Sequence, residues 1–350
     1  MGRYFAVLDA GCQGINAVAA QWGKDSDYTI EGFCRGASKG FRKGRAIDVS
    51  MAVDSISGVL DILKGKTGKR IQDIYMGVTS VSIEVTPSSG ILVLSKYGRE
   101  VTLKDIARCK RIASTIKLPI NREVLHGTVK GFYLDGEVNI KWPVNLEGVK
   151  LGVDMNVITV SSSVLSNLSK CISLAGYVPA GFIFSGFASA CRVLDFEDKE
   201  EGTALIDISS DMTEILIFSE GLLADCKVFS SGTQDFCLKN DGINGNLIEE
   251  LCSRITGLPY WQKVNKISLI GEGSLKDSLI ETLEERFNIP ISTGVCKVRP
   301  SEDLPADRMG YIGSLGVLDY LTEERRTTQT DRSIIPRGIN AVMGFIDKYF

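Results

Sequence analysis

Histidine is almost missing from this sequence, which has one, His126, in 350 residues. A zinc site of the HExxH type and any site with several histidine ligands are therefore excluded. Catalysis by a Ser-His-Asp or Cys-His group would have to use His126 itself. We expect this histidine to be a packed or surface residue at a strand position.

Ordered cysteine motifs and long apolar runs are also missing. The nine cysteines are scattered and form no CxxC pair, so neither a disulfide framework nor a zinc ribbon is favoured. No run approaches the roughly 20 apolar residues that cross a bilayer, and Asp9 interrupts the apolar run near the N-terminus. The net charge of −3 leaves no excess of cations for nucleic-acid phosphates. We expect a cytosolic, reduced protein without a nucleic-acid partner.

The length of 350 residues is too great for one compact core and predicts two lobes or domains. Segments with strand periodicity alternate with segments of helical periodicity, which is typical of an α/β fold. The predicted strands include 73–78, 81–86, 90–94, 122–134 and 154–160, and the predicted helices include 47–63, 163–175, 246–256, 274–287 and 308–322.

A duplicated segment is the most informative pattern. Residues 6–20 align without gaps on residues 204–218, and each copy is a buried strand ending in aspartate, a tight polar turn and a second apolar strand. Backbone N–H groups at such turns can hold phosphate oxygens, and the strand-end carboxylates of Asp9 and Asp207 can hold a metal through water. The pattern predicts two hairpins facing one cleft, although two ordinary hairpins in similar sheets would also produce it.

This duplicated hairpin resembles the two phosphate loops of the actin/Hsp70/sugar-kinase superfamily, and the turn at 270–274 is similar to its adenosine motif. Within that superfamily the sequence resembles the FtsA family of bacterial cell-division proteins. The resemblance is nearly continuous from about residue 5 to 233 and patchier from 266 to 322. It is carried by Arg35-Gly36, Arg42-Lys43-Gly44, Asp48, 75–78, 122–126, Asp135-Gly136, 157–159 and 165–176.

The resemblance implies an α/β, actin-like two-lobed fold with an inserted 1C subdomain and a reduced second lobe. Subdomain 2B of the family has little room, since 34 positions separate Gly232 from Lys266. The expected division is 1–82 with 161–200 as subdomain 1A, 83–160 as inserted 1C, 201–322 as 2A with 233–265 in place of 2B, 323–334 as a linker and 335–350 as an amphipathic helix.

The resemblance also implies an ATP site with Mg²⁺, which Asp9 and Asp207 would reach through water, and no metal site made by the protein alone. Two departures predict weaker binding. The second loop, rich in glycine and threonine in the family, is Ser209-Ser210-Asp211, whose side chains obstruct a polyphosphate and add a negative charge. Gly14 stands where the family commonly has lysine, so a cation is lost. The candidate nucleotide-binding residues are Asp9, Gly11, Cys12, Gln13, Asp207, Ser209, Ser210, Thr213, Gly271, Gly273 and Ser274.

The last residues predict a membrane-binding helix. After the polar linker at 323–334, apolar side chains recur on one side of a helix over 335–350. Such a helix lies in the headgroup region of a bilayer. The arrangement, a terminal amphipathic helix after a linker, resembles that of FtsA-like proteins. The alternative is that the helix packs onto the body of the protein. The predicted membrane-binding residues are Ile335, Arg337, Ile339, Val342, Met343, Ile346, Lys348, Tyr349 and Phe350.

Together, the residues and the resemblance predict a peripheral, actin-like cell-division scaffold on the cytoplasmic side of the bacterial membrane, with at most weak ATPase activity and no assigned catalytic residue. The expected partners are further copies of the chain, an FtsZ-like protein, later division proteins and anionic lipid. Two alternatives stay open: an ATP-dependent kinase-type enzyme of the superfamily, and a pilus-assembly scaffold of the PilM kind. Arg42 and Lys43 are interpreted as a solvated loop, with a basic interface patch as the alternative.

Overall fold

The computed structural model describes residues 4–11, 13–23, 27–115, 118–238, 242–299 and 302–330. Helix α1 begins at Asp48, whose side chain accepts a 2.9 Å hydrogen bond from the Met51 N–H, and ends at Gly68 in the left-handed conformation. The first lobe opens with β1 (Tyr4–Gly11), β2 (Gly14–Trp22), β3 (Tyr28–Gly36), β4 (Phe41–Arg42), β5 (Arg45–Ala46), α1 (Val49–Thr67) and β6 (Asp73–Val78).

An inserted domain follows β6. It comprises β7 (Glu84–Val93), β8 (Arg99–Glu100), α2 (Leu103–Ser114), β9 (Arg122–Leu134), β10 (Glu137–Ile140), β11 (Glu147–Gly148) and β12 (Lys150–Ser161). Its main sheet has the order β10–β9–β12–β7, and α2 packs against β7 and β12. The sequence predicted two strands, 81–86 and 90–94, where the structure has β7 alone, because β7 pairs with β12 along its whole length. Pro87 is tolerated within it because β7 is an edge strand of this sheet.

The chain then returns to the first lobe through α3 (Ser162–Leu174), β13 (Val178–Phe184) and α4 (Ser185–Val193). The completed sheet has the order β13–β6–β1–β2–β3. Strands β1, β6 and β13 run parallel to one another, and β1, β2 and β3 form an antiparallel meander.

The second lobe repeats this sheet. Its elements are α5 (Phe196–Glu200), β14 (Thr203–Ile208), β15 (Thr213–Ser219), β16 (Leu222–Phe229), α6 (Thr233–Phe236), α7 (Gly245–Thr256), β17 (Lys266–Ile270), α8 (Asp277–Phe287) and β18 (Ile291–Thr293). The sheet order β16–β15–β14–β17–β18 matches the first sheet when β14 is placed on β1. The duplication seen in 6–20 and 204–218 therefore extends over both sheets.

The stretch between β16 and β17 is short, as the spacing of Gly232 and Lys266 predicted. Within its described part, α7 is the single helix of more than four residues, and it coincides with the helix predicted at 246–256. Ile248, Leu251 and Ile255 bury its apolar face in the core of the second lobe. This stretch therefore caps the second sheet.

The final described helix, α9 (Ile312–Thr330), packs against α4 and corrects one prediction. The sequence analysis ended this helix at 322 and made 323–334 a linker, but the helix continues to Thr330. Glutamate, arginine and glutamine are good helix formers, and the Arg325 guanidinium lies 3.8 Å from the centre of the Trp22 ring. No described helix is long and apolar enough to cross a membrane. The predicted helix at 335–350 lies outside the described residues.

Candidate functional site

The two duplicated hairpins meet at the cleft between the lobes. Asp9 near the end of β1 pairs with Asn16 across its hairpin, and Asp207 near the end of β14 pairs with Glu214 in the equivalent register. The two aspartates are close enough for the charge of Asp9 to raise the pKa of Asp207. The structure thus brings together the two carboxyl groups that the repeat singled out.

Asp9 is packed tightly by small residues of the first lobe. The Ser185 hydroxyl donates to its Oδ1 at 3.3 Å, and a Cβ added at Gly313 would lie 2.1 Å from its Oδ2. A Cβ at Gly77 would meet the Ser185 hydroxyl at 2.5 Å. Burial raises the pKa of Asp9, although the Ser185 hydrogen bond opposes this. The site therefore favours the protonated form of a carboxyl group that the resemblance assigns to Mg²⁺ coordination.

The pKa values of Asp207 and Glu214 are raised as well. Burial, then the charges of Asp9 and Glu272, raise the pKa of Asp207 to about 7. Glu214 is 5% exposed, and burial followed by the charge of Asp207 holds its pKa well above the usual value. Among the described residues, no group of three or more acidic, cysteine or histidine side chains is arranged to hold a metal ion.

Glu272 joins elements from both lobes across the cleft. Its Oε2 accepts hydrogen bonds from Gln13 Nε2 at 3.0 Å and from the Thr233 hydroxyl at 3.1 Å. Burial raises the pKa of Glu272, while the Thr233 hydrogen bond and the charge of Arg35 oppose the shift. The carboxylate lies between the first loop and the second lobe.

The first loop differs from expectation at Gly14. A Cβ at this position would lie 2.9 Å from Nε of Arg35, on the neighbouring strand β3. The space beside Gly14 is thus filled by the Arg35 side chain, which places a cation next to the loop although the loop itself has no lysine. Gln13 is exposed and reaches Glu272, whereas Cys12 lies outside the described residues.

Two hydrogen-bond donors of the second loop are bonded within the protein. The Ser209 N–H donates to the carbonyl of Met212 at 2.9 Å, and the Thr213 hydroxyl donates to the carbonyl of Ser231 at 2.8 Å. Ser210 is fully buried. The backbone of Gly232 lies against this loop, since a Cβ there would be 2.4 Å from the Ser209 carbonyl oxygen. No glycine opens this loop for close approach by a ligand.

The turn predicted as an adenosine motif is tightly packed. Gly271 has φ +78°, and a Cβ there would lie 2.2 Å from Oδ1 of Asp207. The backbone of Gly273 lies against Ile208, and the Ser274 hydroxyl donates to the Gly271 carbonyl at 2.8 Å. The turn therefore holds Asp207 in place. Gly11, the remaining candidate, closes the first hairpin opposite Gly14.

Two predictions outside the cleft can also be placed. His126 is fully buried beside the rings of Phe187 and Tyr320, and burial lowers its pKa to about 3. Of the two placements predicted for this strand position, packed or surface, the structure shows the packed one. The loop that holds Arg42 and Lys43 has Arg42 exposed and Lys43 half-buried, and Lys43 also hydrogen-bonds to Asp211 and to the Ser230 carbonyl.

Comparison with known proteins now gives the family context. A family model described as the SHS2 domain inserted in FtsA matches residues 81–159. The cell-division protein FtsA of Borreliella burgdorferi is 31% identical over 214 residues, which are 61% of this chain and 52% of that protein. The chain is FtsA-like. It spans about half the length of the FtsA relatives that it matches.

Two solved structures extend the likeness of this FtsA-like chain to its fold. The PilM-PilN type IV pilus biogenesis complex matches with a TM-score of 0.58 at 13% identity, covering 91% of this chain and 97% of that chain. MreB5 of Spiroplasma citri bound to AMPPNP matches with a TM-score of 0.50 at 9% identity, covering 95% and 99%. The predicted actin-like α/β fold with an inserted SHS2 domain is confirmed.

Three features of the cleft of the FtsA-like chain are unfavourable for the nucleotide that this fold implies. The second loop lacks glycine, Glu272 lies in the cleft, and three further carboxyl groups gather at the strand ends. A polyphosphate brought to this site would meet the side chains of the second loop and a cluster of carboxyl groups, each of which would repel it when ionised. Arg35 is a favourable element, but it faces Glu272.

Sequence reasoning missed four residues of this site: Arg35, Glu214, Thr233 and Glu272. A signal for Glu214 was available, because the repeat aligns Glu214 with Asn16. Each of these two polar residues lies near the start of the mostly apolar second strand of its hairpin. Glu272 was part of the quoted adenosine turn but was not assigned a role. Arg35 was among the residues that carry the family resemblance but was not assigned a role, and Thr233 carries no sequence signal that separates it from other polar residues.

Proposed function

We propose that this chain acts as a peripheral-membrane, actin-like cell-division scaffold that assembles with copies of itself and connects an FtsZ-type ring to the cytoplasmic face of the bacterial membrane. The observation that carries the proposal is the FtsA-type SHS2 domain, inserted after β6 in a fold of two duplicated sheets. In this proposal the SHS2 domain contacts the next protomer and later division proteins. Lipid-monolayer electron microscopy of the full chain tests membrane attachment and assembly together. A protein that stays monomeric and does not bind the monolayer would refute the proposal.

The proposal does not require ATP. The MreB5 structure holds AMPPNP, but here the second loop is internally bonded and Glu272 occupies the cleft. We therefore expect isothermal titration with Mg-ATP to show no binding tighter than about 1 mM, equivalent to about 4 kcal/mol. Micromolar binding would contradict this part of the proposal and would favour a nucleotide-controlled scaffold.

Membrane attachment is assigned to the amphipathic segment 335–350, outside the described residues. Its apolar stripe would bury in the headgroup region, and repeated weak contacts would add up in an assembled protein. The test is flotation of the full chain with vesicles containing anionic lipid. Ile339→Asp, on the apolar side, should abolish flotation, whereas the control Asn340→Asp, on the polar side, should reduce it only slightly. Equal flotation of both variants would refute the assignment.

Contact with an FtsZ-like protein is proposed through a surface other than subdomain 2B. The stretch between Gly232 and Lys266 is short, and its helix α7 is packed into the core of the second lobe. We therefore expect that an isolated FtsZ C-terminal peptide is not captured by this chain, whereas assembled FtsZ is. Capture of the peptide would overturn this choice of surface.

The two alternative functions have less support. A kinase-type enzyme needs a second loop that admits phosphate, and Ser209 to Asp211 are folded inward. The likeness to PilM concerns the fold alone, at 13% identity, while the sequence likeness to FtsA reaches 31%. ATP-dependent phosphorylation of a small molecule would favour the first alternative over the scaffold.

A further inference from the structure

A short hairpin of the first lobe reaches the second lobe at the edge of the cleft. Strands β4 and β5 form this hairpin, with Lys43 and Gly44 at its tip. The backbone N–H of Lys43 donates a 2.9 Å hydrogen bond to Oδ2 of Asp211. Its Nζ donates a 2.6 Å hydrogen bond to the carbonyl of Ser230. Both acceptors belong to the second lobe, so one residue bonds twice between the lobes.

The hairpin is held firmly on the first lobe. Lys43 and Gly44 both have positive φ angles, +47° and +67°. A Cβ at Gly44 would lie 1.6 Å from the carbonyl oxygen of Thr79, so the backbone of the tip presses against the turn after β6. The N–H groups of Ile47 and Asp48 both donate to the Gly40 carbonyl, which closes the base of the hairpin beside α1. An uncommon backbone conformation persists only when its surroundings fix it in this way.

Asp211 is well suited to receive the hairpin. It is 8% exposed and lies in the second loop. A buried carboxylate is costly unless hydrogen bonds compensate it, and the Lys43 N–H provides one. The aspartate that makes this loop unfavourable for phosphate therefore has a partner within the protein.

A second contact joins the lobes elsewhere in the cleft. Gln13 from the first hairpin donates to Glu272, which also accepts from Thr233. Glu272 thus connects the first loop to two elements of the second lobe through side chains of the protein itself. Loss of the hairpin contact alone should loosen the cleft locally while leaving this second contact in place.

We infer that the β4–β5 hairpin, through Lys43 and Asp211, is a strap that keeps the two lobes closed without a nucleotide. In a two-lobed protein with a ligand-filled cleft, the ligand supplies the contacts that hold the lobes together. Here the chain supplies them itself. This inference concerns lobe closure and holds or fails independently of the proposed membrane and division partners.

Hydrogen–deuterium exchange of the full chain, followed by mass spectrometry without nucleotide, tests the strap. In the wild type we expect slow exchange over residues 41–46. Asp211→Ala removes the acceptor and should speed exchange of this segment by about tenfold. Lys43→Met keeps the backbone bond but loses the Nζ bond, and should speed exchange less, by about threefold. The control Glu285→Ala removes an exposed carboxylate on α8 of the same lobe and should change nothing at 41–46.

Two results would overturn the inference. One is exchange over 41–46 that is as fast in the wild type as in Asp211→Ala. The other is protection that appears in the wild type only after Mg-AMPPNP is added. Equal protection with and without Mg-AMPPNP supports the strap. If Asp211→Ala fails to fold, Lys43→Met decides in its place: faster exchange at 41–46 supports the strap, and unchanged exchange counts against it.

Discussion

Asp207 and Glu214 lie directly opposite each other on neighbouring antiparallel strands of the second lobe, so two carboxyl groups share one position at the cleft. Burial raises the pKa of both carboxyl groups, and the charge of Asp207 raises the pKa of Glu214 further. The pair is therefore stable when it holds at least one proton. This gives the fold a dependence on pH that a surface carboxyl pair would not give.

Asp207→Asn should change that dependence. Unfolded, the Asp207 carboxyl loses its proton near the ordinary pKa of 3.8; folded, it keeps the proton until about pH 7. Between these values the folded state binds more protons, so its free energy of unfolding falls as pH rises. Asp207→Asn has no carboxyl proton to lose at this position, so its free energy of unfolding does not fall in this way. Urea titrations at pH 4.5 and pH 8 should show Asp207→Asn gaining about 2 kcal/mol relative to the wild type at the higher pH, less than the full shift because Asp207 is partly exposed.

The matched control for this experiment is Asp54→Asn, on the exposed face of α1. We expect its stability relative to the wild type to be the same at both pH values. If Asp207→Asn behaves as Asp54→Asn does, the proposed protonation of the pair is wrong.

Arg192→Met should strongly destabilise the first lobe. The Arg192 guanidinium is 2% exposed and forms ion pairs with Glu302 and, at 3.2 Å, with Asp319. The Tyr28 hydroxyl lies 2.9 Å from an oxygen of each carboxylate. Removing the cation leaves buried negative charges without their main partner, a loss of about 3 kcal/mol or more in chemical denaturation.

Lys141→Met is the comparison for Arg192→Met. Lys141 pairs with Glu200 at 2.9 Å, but its side chain is 64% exposed. Exposed pairs contribute about 0–1 kcal/mol. Similar losses in the two variants would show that the Arg192 cluster has no special role in stability.

Gly271→Ala and Gly58→Ala should act in opposite directions. Gly271 has φ +78° and no room for a methyl group beside Asp207, so the change should cost about 2 kcal/mol. Gly58 lies on the exposed side of α1 with open space around it, so alanine there should add up to about 1 kcal/mol of stability. Melting temperatures of the two variants provide the measurement; a stabilised Gly271→Ala would contradict the packing of this turn.

The sequence predicted features that depend on local pattern. The repeat of 6–20 in 204–218 anticipated two equivalent sheets, and the periodicities at 122–134 and 163–175 closely located β9 and α3. These succeed because periodicity and duplication are visible in short windows. The inserted domain was predicted from a resemblance of its residues to a known family.

Contacts between distant residues could not be predicted in this way. Lys43 and Asp211 are 168 positions apart, and Gln13 and Glu272 are 259 apart. Each pair consists of polar residues with no distinguishing sequence pattern, and they come into contact only because of the way in which the two lobes pack. Arg35 beside Gly14 is similar, since a strand neighbour replaces a side chain that the loop itself lacks. The continuation of α9 past 322 also depended on a distant contact, between Arg325 and Trp22.

The edge strand β7 has a consequence for how this protein can associate. Pro87 has no N–H group, so a foreign strand laid alongside β7 would meet a gap in the middle of its hydrogen-bond ladder. Extension of this sheet from one molecule to the next is thereby discouraged. A contact between two copies at this edge would therefore depend more on side chains than on backbone pairing.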